Sequence, residues 1–152
     1  MERKMIKIIA IGTLLSFLLT LSLASSQAFA SSHGEDLTVV THGDLLNEKL
    51  ELPMTLDIAV TGQRKSLFGT GTIDDPACGT STIVVGGSID GHNLKLSGWI
   101  LEAELPVIVG TPIKIEADGK SGKISLTFGP ISGGDLSGMT FVFKGEGTVS
   151  IT

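Results

Sequence analysis

Two long segments of the chain alternate apolar and polar residues with a period of two. Every second residue from Leu50 to Val60 is apolar, and the segment from Met139 to Ile151 repeats the pattern, with glycine at two of the inward positions. A period of two places one set of side chains on each face of a β-strand, whereas a helix would scatter them around its axis. The chain is therefore predicted to be an all-β protein.

Shorter segments of similar composition predict further strands, at 37–40, 66–74, 81–89, 93–104, 112–118 and 122–129. Asp90-Gly91 and Asp118-Gly119 lie between such segments and predict tight reversals, so neighbouring strands should be antiparallel. We expect about eight antiparallel strands joined by meander-like hairpins, forming either a small barrel or a two-layer sandwich. Segment 43–50 could add a helical turn or two after an Asp44 cap.

Glycines occur inside the predicted strands, at 69, 71, 86, 87, 98, 145 and 147. A glycine in a strand usually marks a sharp bend or a close approach by other backbone. In segment 94–105 the apolar residues also change parity near Gly98. That change predicts a β-bulge or a strand that passes between two sheets.

The first thirty residues have the order of a secretory signal peptide. Three basic residues precede a long apolar stretch, and Ala28-Phe29-Ala30 forms a small-residue cleavage site. Cleavage after Ala30 would give a signal peptide at 1–30, a polar leader with one short strand at 31–48, and an antiparallel β-domain at 49–152. Without cleavage the apolar stretch would anchor the domain in a membrane. Both alternatives place the domain outside the cytoplasm.

The charge of the chain bears on its partners. Removal of residues 1–30 leaves eight basic and fifteen acidic residues, a net charge of −7. Nucleic acids and anionic membrane surfaces need clustered lysine and arginine, so neither is expected as a partner. Cys78 is the only cysteine, which excludes an intramolecular disulfide. We expect Cys78 to be a small buried side chain near a turn, and a link to a second chain is the alternative.

Motifs for catalysis are weak in this sequence. Glu102 with Glu104, and Glu116 with Asp118, are spaced to share a strand face, but a solvated strand surface shows the same spacing as the paired carboxylates of a glycosidase. There is no G-x-S-x-G sequence and no phosphate-binding glycine loop. We therefore expect that the protein is not an enzyme.

The function that best fits these observations is a secreted or cell-surface, non-catalytic β-domain with a structural or binding role and a protein partner. One alternative is a barrel that carries a small apolar ligand in a cavity lined by Leu56, Ile58 and four aromatic residues. The aromatic candidates for that ligand site are Trp99, Phe128, Phe141 and Phe143.

A further alternative concerns the processed N-terminus. Cleavage after Ala30 would begin the mature chain with Ser31-Ser32-His33. The free amine, two backbone amides and the His33 imidazole then supply four nitrogens, which suit square-planar Cu(II) or Ni(II). His42 and His92 lack the paired spacing of a zinc site and are expected to be surface residues, with His92 at a hairpin tip.

We predict that protein recovered outside the producing cells begins at Ser31, because the small-residue site directs cleavage after Ala30. Intact mass and N-terminal sequencing measure this directly. The processed protein should then develop the visible absorption band of square-planar copper on titration with Cu(II), and His33→Ala should abolish that band. An intact N-terminus, or trimming beyond His33, would contradict the copper hypothesis because the amine would be lost.

Overall fold

The computed structural model of the chain describes residues 35–152, which form eight strands in sequence order. The strands are β1 (Leu37–Asn47), β2 (Leu52–Gln63), β3 (Ser66–Asp75), β4 (Gly79–Asp90), β5 (Asn93–Ala103), β6 (Pro112–Asp118), β7 (Lys123–Phe128) and β8 (Phe141–Ile151). Single-turn 3₁₀ helices, Pro106–Ile108 and Gly134–Leu136, lie after β5 and β7. Within residues 35–152, no helix has the length and hydropathy needed to cross a membrane.

The sheet closes on itself. Each strand pairs antiparallel with its neighbours in sequence, and β8 also pairs with β1, so the strand order around the barrel is the order along the chain. Near the point of closure, Thr38 and Thr152 exchange two backbone hydrogen bonds of 2.8 and 2.9 Å. The all-β prediction with eight antiparallel strands is confirmed, and the closed pairing identifies the barrel rather than the sandwich.

Alternation along the strands separates the interior from the outer wall. In β2, Leu56, Ile58 and Val60 are buried while Asp57 and Ala59 between them are exposed. The same alternation in the other strands fills the interior with aliphatic side chains and few aromatic ones. Because these side chains meet in the middle of a small barrel, the interior is a packed hydrophobic core.

Six glycines face inward at positions where neighbouring strands come very close. A Cβ atom at Gly98 would collide with the carbonyl oxygen of Val84, and one at Gly147 would collide with that of His42. The other four make the same close approach to a backbone carbonyl; they are Gly69, Gly71, Gly87 and Gly145. The predicted close approach is therefore confirmed, and it lets the strands coil tightly enough for the barrel to close.

The first strand is longer than the sequence pattern suggested. β1 extends from Leu37 to Asn47, so residues 43–47 continue the strand, and residues 48–51 form the turn to β2 in place of the expected helical turn. The barrel therefore begins at Leu37, earlier than the expected domain boundary at residue 49. Polar and small residues occupy inward positions of β1, including Thr41, Gly43 and Asn47, and they obscure the alternation in the sequence.

The predicted change of parity in β5 is present, but it lies further along the strand. Leu96 and Ile100 both face the core, so the inward face does not switch at Gly98. The register shifts where Ile83 pairs with Ile100 and Thr82 pairs with Glu102, which leaves Leu101 as an extra residue. This arrangement is a β-bulge within one closed sheet; it leaves Leu101 and Glu102 both exposed and brings Ala103 to the inward face.

We predict that Gly98→Ala lowers the free energy of unfolding by about 1–3 kcal/mol, because the added methyl group would displace the backbone of β4. Urea denaturation measures this change. Gly86→Ala is the matched control, since Gly86 faces the outer wall, where its Cβ would lie 3.3 Å from the nearest atom; it should shift stability by less than about 1 kcal/mol. Equal stability of the two variants would contradict the role assigned to the inward glycines.

Candidate functional site

The two ends of the barrel differ in the loops they carry. Because successive strands run in opposite directions, loops after odd-numbered strands lie at one end, at 48–51, 76–78, 104–111 and 129–140. We call this the apolar end. The polar end carries the short turns 64–65, 91–92 and 119–122 together with the start of β1 and the end of β8. Long loops at one end of a rigid barrel commonly carry binding residues.

Exposed apolar side chains are concentrated at the apolar end. Of the eleven large apolar residues that are exposed in the described part of the chain, eight lie in its loops or at the adjoining ends of the strands. We call these eight the apolar rim; they are Leu46, Leu50, Leu101, Leu105, Val109, Leu136, Met139 and Val142. The turns of the polar end contain none of the eleven. Exposed large apolar residues concentrated at one end of a domain indicate an interaction site.

Buried anchors hold the two longest loops in place. Ile108 and Ile131 are each 2% exposed and join the core, whereas Val109 beside Ile108 is 42% exposed. The loops also contact each other, because the side chain of Val107 packs against Gly133 and Gly134. A hydrogen bond of 2.7 Å from the Gly138 amide to the Ile131 carbonyl closes the second loop. The rim residues therefore project from a fixed base.

Asn47 fixes the third part of the rim. This buried side chain donates a hydrogen bond of 3.0 Å to the carbonyl of Val142 and accepts one of 2.9 Å from the Leu50 amide. It thereby ties the turn after β1 to the first residues of β8. Between them lies an open groove of about 550 Å³ whose apolar side chains include Leu50 and Met139.

The surroundings of the rim are acidic. Seven carboxylates lie in the loops and strand ends of the apolar end, and two lysines, Lys49 and Lys144, accompany them. The carboxylates are Glu48, Glu51, Asp74, Asp75, Glu102, Glu104 and Asp135. Within residues 35–152 the ion pairs are His42 with Asp57 and Lys114 with Glu116, and neither pair lies at the rim. The rim is thus an apolar surface bordered by unpaired negative charge.

The residues expected to line an internal ligand cavity do not come together as predicted. Leu56, Ile58, Phe128 and Phe143 are packed in the core, and the half-buried ring of Phe141 lies 6.5 Å from that of Phe128, tilted by 45°. Trp99, by contrast, lies on the outer wall and is 49% exposed. Its position in β5 has the parity opposite to that of Leu96 and Ile100, so its side chain cannot reach the interior.

The predicted metal ligands are only partly described by the structure. Ser31, Ser32 and His33 lie outside the described residues. From residue 35 onward, no group of three or more histidine, cysteine, aspartate or glutamate side chains is arranged to hold a metal ion. His92 lies in the turn between β4 and β5, as expected, while His42 lies on the outer wall beside Asp57.

Of the two predicted carboxylate pairs, Glu116 and Asp118 share the outward face of β6, whereas Glu102 and Glu104 are not both within β5. β5 ends at Ala103, so Glu104 lies beyond the strand and rests against Gly79, while Glu102 remains on the wall opposite Thr82. Asp118 accepts hydrogen bonds from the Lys120 amide, at 2.9 Å, and from the Ser121 hydroxyl, at 3.0 Å. These donors lower the pKa of Asp118 and fix the turn after β6.

Cys78 lies in the turn between β3 and β4, at the apolar end, and is half-buried. Its backbone amide and that of Ala77 donate hydrogen bonds of 2.7 and 2.8 Å to the buried carboxylate of Asp75. Burial raises the pKa of the Cys78 thiol, and the nearby Asp75 charge raises it further. The thiol is therefore kept in its unreactive protonated form.

Comparison with protein-family models, with curated protein sequences and with solved structures found no match to this chain. The chemistry of the surface residues is therefore the basis for a functional proposal. The alternating pattern of the sequence does not reveal the apolar rim, because the members of the rim lie in loops or at outward strand positions. The run Leu105-Pro106-Val107-Ile108-Val109 is the signal that could have indicated it, since apolar residues dominate a segment that must be a loop.

We predict that Asp57→Asn lowers the pKa of His42 toward its ordinary value of 6.5. In the native protein the hydrogen bond of 2.5 Å between Nδ1 of His42 and Asp57, together with the Asp57 charge, raises that pKa. The pair therefore stabilises the fold at pH values below 6.5, and this contribution is lost as the pH rises through the raised pKa. NMR titration of the ring protons measures the shift.

Asp44→Asn is the matched control for this titration, because Asp44 is the weakest of the influences that raise the pKa of His42. It should change that pKa less than Asp57→Asn does. The assignment would be contradicted if both variants shifted the titration equally, or if neither shifted it.

Proposed function

We propose that the protein is a non-catalytic binding module that works outside the cytoplasm and docks onto another protein through the apolar rim. The observation that carries the proposal is the placement of eight of the eleven exposed large apolar residues at one end of the barrel. Burial of apolar surface is the main favourable term in most protein association. A rigid, closed scaffold also limits the entropy lost when such a surface binds.

The charge around the rim favours a protein over a lipid surface. Carboxylates such as Glu102, Glu104 and Asp135 would be repelled by an anionic bilayer, and the rim contains no tryptophan. A protein surface with apolar side chains bordered by lysine or arginine would complement the rim, because its charges would pair with these carboxylates. A second copy of this chain fits less well, since two acidic rims would face each other.

The location outside the cytoplasm rests on the sequence of the first thirty residues. The chain has a single cysteine and therefore no intramolecular disulfide, so the stability that it needs at this location comes from its packed core. The packed core also favours a surface-binding role over a carrier role, since Leu56, Ile58 and Phe143 occupy the volume that an internal ligand would need.

We predict that a photoreactive amino acid placed at Leu105 or Met139 forms covalent adducts with a partner protein in the producing cells. Both positions are exposed on the rim, and the docked partner would lie within reach of the probe. The adducts are detected by a mass shift on denaturing gels and identified by mass spectrometry. Leu136→Asp in the same protein should reduce the adducts strongly, because it places a charge in the interface.

Probes at His92 and Lys120, in turns of the polar end, are the matched controls and should give few adducts. Equal labelling from the two ends, or no adducts from the rim, would contradict the proposal. Adducts between two copies of this chain would also contradict the proposal, because they would show self-association in place of docking onto a different protein.

A further inference from the structure

A second surface lies on the barrel wall; it borders the apolar rim where Trp99 stands beside Leu101 on β5, but it shares no residue with the rim. Outward positions of β3, β4 and β5 form two adjacent rows, in which Phe68 pairs with Gly86 and then Ser97, and Thr70 pairs with Val84 and then Trp99. We call these six residues the aromatic face. Because the rows cross three neighbouring strands, the face is a continuous patch of the wall.

Two exposed rings dominate the aromatic face. Phe68 is 57% exposed and Trp99, the single tryptophan of the chain, is 49% exposed. Gly86 has no side chain, and the Phe68 ring lies over it, 3.5 Å from where a Cβ would be. The ring is thereby laid along the sheet. Two strand spacings and two residues of rise place the backbones of Phe68 and Trp99 about 12 Å apart.

The aromatic face carries no ionisable side chain. Its remaining polar groups are hydroxyls, those of Thr70 and Ser97, and the next row adds Thr72 and Thr82. None of these four hydroxyls has a hydrogen-bond partner within residues 35–152. The nearest charges stand at the margins of the face. Lys95 and Lys114 adjoin Ser97, and Asp57 and Glu102 lie in the row of Thr72 and Thr82. A charged ligand would therefore find no counter-charge within the face.

We propose that the aromatic face binds a neutral polysaccharide. The C–H groups on one side of a sugar ring carry partial positive charge and pack against the electron-rich face of an aromatic ring. Sugar hydroxyls both donate and accept hydrogen bonds, as the threonine and serine hydroxyls around the rings do. Rings whose backbones lie about 12 Å apart can contact two separate units of one extended sugar chain.

A protein partner fits this face less well than a polysaccharide does. Protein interfaces are depleted in serine, and serine, threonine and valine are under-represented among residues that carry binding energy. Four of the six residues of the aromatic face are serine, threonine, valine or glycine. The absence of charge within the face matches a ligand that is itself uncharged. This proposal does not depend on the rim, because the two surfaces share no residue.

The fluorescence of Trp99 provides the test, since the chain has no other tryptophan and no tyrosine. Purified protein is titrated with three neutral polysaccharides, namely a non-ionic soluble cellulose ether, galactomannan and starch. Alginate is the anionic control. We expect a saturable change in emission with at least one neutral polysaccharide and none with alginate. The same series in affinity gel electrophoresis gives a measurement that does not require the tryptophan.

Substitution then locates the site. Phe68→Ala and Trp99→Ala should each weaken binding in the gel by about tenfold. Leu105→Ala, which removes an exposed apolar residue of the rim, should leave it unchanged, and urea denaturation confirms that the variants are folded. No binding to any neutral polysaccharide would overturn the proposal, as would binding that survives both aromatic substitutions. Neither result would affect the crosslinking test of the rim.

Discussion

Close contact between backbones is the constraint on which the whole barrel depends. At six inward positions a neighbouring carbonyl oxygen occupies the space that a Cβ atom would need, so only glycine can be accommodated. Strands that approach so closely can bend and coil enough for β8 to meet β1. Closure leaves no sheet edge exposed, and it provides a stable wall without a disulfide. Both candidate binding surfaces are supported by this wall.

Much of the fold could be predicted from the sequence because alternation is a local property. The expected segments at 112–118 and 122–129 match β6 and β7 to within one residue. β1 was underestimated because three of its inward residues are Thr41, Gly43 and Asn47, which do not look like core residues. The choice between barrel and sandwich depends on the pairing of β1 with β8, a contact between the two ends of the domain that no local pattern reveals.

The candidate sites were less predictable, for a physical reason. Large apolar residues are assigned to a core by default, yet this core is narrow and several of its inward positions are glycine. Trp99 and Leu101 lie at outward positions of β5, one on each side of the inward Ile100. Apolar loop residues such as Val109 and Met139 gave no periodic signal at all. Their common position at one end follows from strand direction, which becomes meaningful only once the barrel order is known.

The pairing of Thr38 with Thr152 has a consequence for how the chain could be rearranged. The two ends of the barrel sequence meet, and every strand lies beside its neighbours along the chain, so the eight strands form a ring with no structurally privileged first member. A short linker across this junction would allow new termini to be opened in any turn of the polar end. Such circular permutants would keep every strand pair, the apolar rim and the aromatic face, and would differ only in where synthesis begins.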